Sequence, residues 1–72
     1  MDRSPRNRFS ANLRRLRQRR GMSQADLSRA SGISASVLSR LESAEREPRL
    51  STVFRIARVL DEDMGELLRG VR

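Results

Sequence analysis

Guanidinium groups dominate the chemistry that this chain can offer. Eight arginines (Arg3, Arg6, Arg8, Arg14, Arg15, Arg17, Arg19 and Arg20) stand between Met1 and Arg20 against the single acid Asp2. From Gly21 onward eight arginines balance eight acids, so the formal charge of +7 resides in the opening segment. Cations gathered in one arm and one helix are the footprint of a surface that grips a polyanion. Bond-making chemistry has little to work with. Histidine and cysteine are both absent, which removes the usual side chains of acid-base catalysis and of zinc sites. Asp61, Glu62 and Asp63 read as an exposed acidic turn, not as an acid/base pair or a metal cluster. The expectation is a binding protein with no enzymatic activity, no cofactor, no metal and no small-molecule ligand.

A second group of residues says how a polyanion could be read. Ser34, Ala35, Ser36, Ser39 and Arg40 fall on the outer side of one short helical segment whose inner side is Val37, Leu38 and Leu41. A helix with an outer face of Ser and Ala can approach a surface closely, as the walls of a DNA major groove require, since the groove is about one helix wide. Competing surfaces fit less well. A membrane-surface helix lacks tryptophan, and Phe9, Leu13 and Leu16 are claimed by a core. Single-stranded RNA needs stacking platforms, and the only aromatic residues are Phe9 and Phe54.

These residues need elements to hold them, and the pattern is helical throughout. At 72 residues the chain is one domain with a thin core, and no stretch alternates apolar and polar residues over a strand's length. Helix one is expected to start at Ser4 and Pro5, to bury Phe9, Leu13 and Leu16, and to stop at Gly21. Helix two opens at Ser23 with Asp26 as a shortened capping box, turns Leu27 and Ala30 inward, and ends at Gly32. Ile33 plugs the corner and Ser34 caps helix three. Pro48 keeps the following polar loop from continuing as helix. Leu50, Val53, Ile56, Ala57 and Leu60 form the stripe of helix four. Asp63 with Glu66 opens helix five, which carries Met64, Leu67, Leu68 and Val71. The expected fold is all-α, a compact five-helix bundle, with residues 1–8 as a basic N-terminal arm, either disordered or extending helix one, and residues 9–70 as the domain. Two helices joined by a tight glycine turn cross at a large angle and present the second to a groove. No apolar run approaches the ~20 residues of a membrane span. A cytoplasmic location is expected.

From Leu13 to Leu68 the order "SQ", Gly32, "SRLE", proline loop and "LL" resembles the lambda-repressor/Cro-like (XRE-type) helix-turn-helix DNA-binding domain. The resemblance implies a five-helix bundle that binds a specific sequence of double-stranded DNA, as a regulator and most simply a repressor, acting as a homodimer on a palindromic operator. It assigns Gln24 to a phosphate contact, with Ser23 and Arg14 beside it. Ala35, Ser36 and Arg40 match base-facing positions, flanked by Ser34 and Ser39, with Arg40 suited to a bidentate contact with guanine. Arg17 and Glu42 match an ion pair that orients helix three. Three departures stand out: Asp61 replaces a common glycine stop, Glu62 stands where an apolar residue is common, and Glu45 and Glu47 occupy a loop that is usually neutral or basic. For the dimer surface the candidates are Phe54, Val59, Met64 and Val71. The alternative reading is an antitoxin-like or adaptor module that keeps the fold for protein contacts.

Overall fold

In the computed structural model, which describes residues 5–71, the chain forms α1 (Pro5–Arg19), α2 (Gln24–Ser31), α3 (Ala35–Glu42), α4 (Leu50–Leu60) and α5 (Met64–Leu67). No strand occurs among the described residues, and no helix among them is long and apolar enough to cross a membrane. Pro5 occupies the first helical position of α1, where its missing N–H is no loss. The expected cap Ser4, and Arg3 of the arm, lie outside the described residues. Residues 5–8 are the first turn of α1, so Arg6 and Arg8 ride on a helix.

The chain punctuates itself by local chemistry. Past α1, the Met22 N–H reaches the Arg17 carbonyl at 3.2 Å and the Gly21 N–H the Gln18 carbonyl at 2.9 Å. That double closure needs a left-handed residue, and Gly21 supplies it at φ 67°. At the start of α2 the Ser23 hydroxyl accepts from the Asp26 N–H (3.0 Å), and Asp26 accepts in return from the Ser23 N–H (2.9 Å). The backbone N–H of Ser23, and secondarily its hydroxyl, hold the Asp26 carboxyl below its ordinary pKa.

Serines stitch the corner between α2 and α3. Ser31 donates to the Leu27 carbonyl (2.6 Å), Ser28 donates to the Ile33 carbonyl (2.6 Å), and Ser34 caps α3 by accepting from the Val37 N–H at 3.2 Å. Gly32 turns the chain at φ 75°, and a Cβ built there would meet nothing within 4 Å. The cost of a side chain at this point is therefore purely conformational. Gly32→Ala is expected to lose about 1 kcal/mol, read as a lower urea midpoint with an unchanged slope.

Ala44 shows the reverse case. It sits at φ 63° in the loop after α3, a conformation that an L side chain adopts at a cost of roughly 1 kcal/mol. Ala44→Gly should raise the midpoint of thermal unfolding, although the greater freedom of the unfolded chain offsets part of the gain.

Twelve apolar side chains close the core: Phe9, Leu13, Leu16, Leu27, Ile33, Leu38, Leu41, Val53, Ile56, Ala57, Leu60 and Leu67. Helix α1 packs against α3 and α5, α2 against α3 and α4, and α4 against α5. Four expectations need correction. Leu68 and Val71, expected on helix five, lie beyond the end of α5 at Leu67. Ala30 is exposed, facing an open groove between α2 and α4. Leu50 is 72% exposed, because it opens α4 at the margin of the stripe that Val53, Ile56 and Leu60 define. Asp63 and Glu66 form no capping box: the Asp63 side chain makes no cap bond, and Glu66 pairs instead with Arg69 at 2.8 Å. The four-residue α5 is held from outside. Asn12, buried on α1, donates to the carbonyls of Leu67 (2.8 Å) and Arg69 (2.9 Å). Where the resemblance expects glycine, Asp61 itself takes the left-handed conformation at φ 54°, and its carbonyl accepts from Arg20.

Candidate nucleic-acid interface

The side chains that could meet DNA are carried by α3 and by the start of α2. Leu38 and Leu41 are buried and Val37 is half-buried, which fixes the opposite side of α3 outward. Ser34, Ala35, Ser36, Ser39 and Arg40 are all exposed, a row of small side chains ending in one guanidinium. Among the described residues the Arg40 side chain has no hydrogen-bond or ion-pair partner. Neighbouring Ser43 bonds the Arg40 carbonyl (3.2 Å) and the Glu45 carboxylate, leaving the guanidinium free.

Behind this face lies a polar hub centred on Glu42, the last residue of α3. Its side chain is 4% exposed, and the carboxylate takes a forked contact from Arg17: Nε to Oε2 at 2.6 Å and Nη2 to Oε1 at 2.8 Å. The third Arg17 nitrogen, Nη1, donates to the Met22 carbonyl at 2.7 Å. The hydrogen bond that Arg17 donates to Glu42 is the main cause of its raised pKa, opposed in part by desolvation. Oε1 also accepts from the Gln24 amide at 3.2 Å. The Glu42 carbonyl, an otherwise open C-terminal acceptor of α3, receives the Ser10 hydroxyl and Nη1 of Arg14, the latter at 2.8 Å. One residue thus ties α1, α2 and α3 together and sets how α3 is presented.

The residues expected at phosphates all have internal work as well. Gln24 is half-buried on Glu42, Arg14 rests on the end of α3, and Ser23 caps α2. Each keeps hydrogen-bonding capacity to spare, since a guanidinium has five donors, a primary amide two, and an accepting hydroxyl still owns its proton. Two residues of the hub and bundle were not singled out from sequence, Ser10 and Asn12. Their signal is that both lie on the buried side of α1 beside Phe9 and Leu13, where a polar side chain must find a partner.

The expected dimer patch divides. Phe54 is 50% exposed, has Arg58 over its ring at 5.8 Å, and shares an open cavity of about 540 Å³ with Met64. Val71 lines a different recess beside Leu50. Val59 lies beside Ala30 and Ser31 of α2, since five residues carry it ~140° around the helix from Phe54.

A family model described as Helix-turn-helix matches residues 13–67, from the second half of α1 to the end of α5. The chain belongs to this helix-turn-helix family, of the Cro/C1 (XRE) type. Membership makes it a DNA-binding regulatory domain, with α2, the Gly32 corner and α3 as the helix-turn-helix itself. No curated protein matches the chain. Ser10 and Asn12, which bond the ends of α3 and α5, precede the matched region.

Proposed function

We propose that this helix-turn-helix protein is a sequence-specific regulator that acts as a repressor, occupying a palindromic operator as a homodimer with one α3 in each of two successive major grooves. The observation that carries the reading is the outer face of α3: small hydroxyl and methyl groups leading to a guanidinium that nothing among the described residues engages. Arg40 would read guanine through a forked contact. The Ala35 methyl suits a thymine methyl, and Ser34, Ser36 and Ser39 can donate or accept at several base edges. Gln24, Ser23 and Arg14 would position the domain on phosphates, helped by the positive end of α2.

The reading is tested by selecting duplexes from a random library with the purified protein at near-physiological salt. An enriched inverted repeat, with half-site centres about one helical turn (~34 Å) apart, is the expected result. Enrichment of a single half-site would remove the dimer. Recovery of no sequence above background would overturn specific binding and favour a protein-contact module.

A further inference from the structure

The arginines of α1 keep two kinds of company. Arg14 and Arg17 reach α3, through the Glu42 carbonyl and carboxylate. Arg8, Arg15 and Arg19 lean the other way, toward α5. The Arg8 side chain lies along Gly70, where a methyl group would stand 3.5 Å from its Cδ. Nη1 of Arg15 donates to Asn12 at 3.3 Å, the residue whose amide holds the carbonyl at the end of α5. Arg19 stands 3.9 Å from Glu62, just before α5. At ~100° per residue these three fall within about 40° of one another around α1, and Arg14 lies roughly 120° away from them. The bundle therefore carries two basic faces, one beside α3 and one on the flank of α1 that meets α5.

The second face is a stripe about 16 Å long, and all three side chains are exposed. Arg8 and Arg15 meet no acid among the described residues. The Arg19–Glu62 contact is long and the Arg19 side chain is 67% exposed, so it neutralises little. A partner protein needs apolar anchors at the centre of its interface, and the exposed neighbours of the stripe, Ala11 and Gln18, supply none. A duplex needs only cations at a suitable pitch. Its phosphates follow one another at ~3.4 Å of axis along each strand, so the stripe spans about five of them. Guanidinium forks fit phosphate oxygens, and the small Ala11 side chain lets a backbone come close.

We propose that Arg8, Arg15 and Arg19 form a second, sequence-independent site for the phosphate backbone of duplex DNA, so that one chain holds a second segment of duplex while α3 occupies the first. A regulator built this way draws other DNA against the site it occupies. The inference rests on α3 holding duplex, but not on its choosing a sequence.

A capture experiment with the full chain tests it. A short duplex of mixed sequence is fixed to beads, loaded with protein at low salt and washed, and a fluorescent duplex of mixed sequence is then offered. The wild-type chain should retain the fluorescent duplex, with a salt slope of about −2.7 for three phosphates neutralised. The double variant Arg8→Gln with Arg15→Gln should stay on the beads yet hold the second duplex about tenfold or more weakly, its slope smaller by about two. Neither residue makes an ion pair, and glutamine forms helix about as well as arginine, so circular dichroism should be unchanged. Capture by the double variant at the wild-type level would mean that protomers bridge duplexes through their α3 faces, and overturns the proposal. So does loss of both duplexes together, which would put the stripe on the duplex that α3 holds. A wild-type chain that stays on the beads without retaining a second duplex also overturns it, and binding of polyglutamate instead would assign the stripe to an acidic protein. A chain that captures a second duplex through the stripe, while selection enriches no sequence, supports the site and overturns only the sequence-specific reading.

Discussion

Arg17→Ala will destabilise this domain by about 3–5 kcal/mol, the cost of leaving a buried ionic group without its partner. The Glu42 side chain is 4% exposed and the Arg17 side chain 12%, so the carboxylate would be left largely buried without its cation. A chain of this length has roughly 4–11 kcal/mol of total stability. The loss is therefore a large fraction of the total, and a urea midpoint or a thermal melt will report it as a large downward shift. Removing the whole pair is a different experiment. In Arg17→Met with Glu42→Leu the cavity is filled and no charge is stranded, so the double variant should be more stable than Arg17→Met alone. If the single and double variants melt together, the pair does not hold the hub. The double variant also separates orientation from stability: a folded chain without the Arg17 fork should show poorer discrimination between selected and random duplexes.

Arg40→Ala should do the opposite, leaving stability within about 0.5 kcal/mol and changing what the domain recognises. A forked contact with guanine is worth about 1–3 kcal/mol of discrimination, so the preference at one position in each half-site should relax by roughly 5- to 150-fold. Selected duplexes would show it as a loss of guanine at that position with neighbouring positions intact. The slope of affinity against salt distinguishes the other role. If Arg40 held a phosphate instead, its removal would lower the slope by about one unit and weaken binding to all sequences alike. An unchanged preferred sequence would remove Arg40 from base readout.

The helix starts and stops were legible in the sequence because their causes are local. A serine cap, an acid three residues on and a glycine that tolerates positive φ act across one turn, so Ser23, Asp26, Gly32 and Ser34 could be placed without knowing what else the chain does. Periodicity placed Leu13, Leu16, Leu38, Leu41, Ile56 and Leu60 in the core for the same reason. It failed at Leu50 and Ala30, at the margins of their stripes, where burial depends on whether a neighbouring helix reaches that far. The Asp63–Glu66 pattern failed: the Asp63 side chain makes no cap bond, and Glu66 pairs with Arg69.

What tertiary structure alone decided was the company each polar group keeps. Ser10 and Glu42 are 32 residues apart, Arg17 and Glu42 25, Gln24 and Glu42 18, distances along the chain at which no spacing rule operates. Resemblance anticipated the Arg17–Glu42 pair, but neither composition nor periodicity indicated that Gln24, Arg14 and Ser10 would converge on the same residue. By itself the sequence determined a charged, five-helix chain with a small polar reading face on α3. The folded bundle decided how that face is held and which arginines of α1 point away from it, because both depend on where separate helices come to lie against one another.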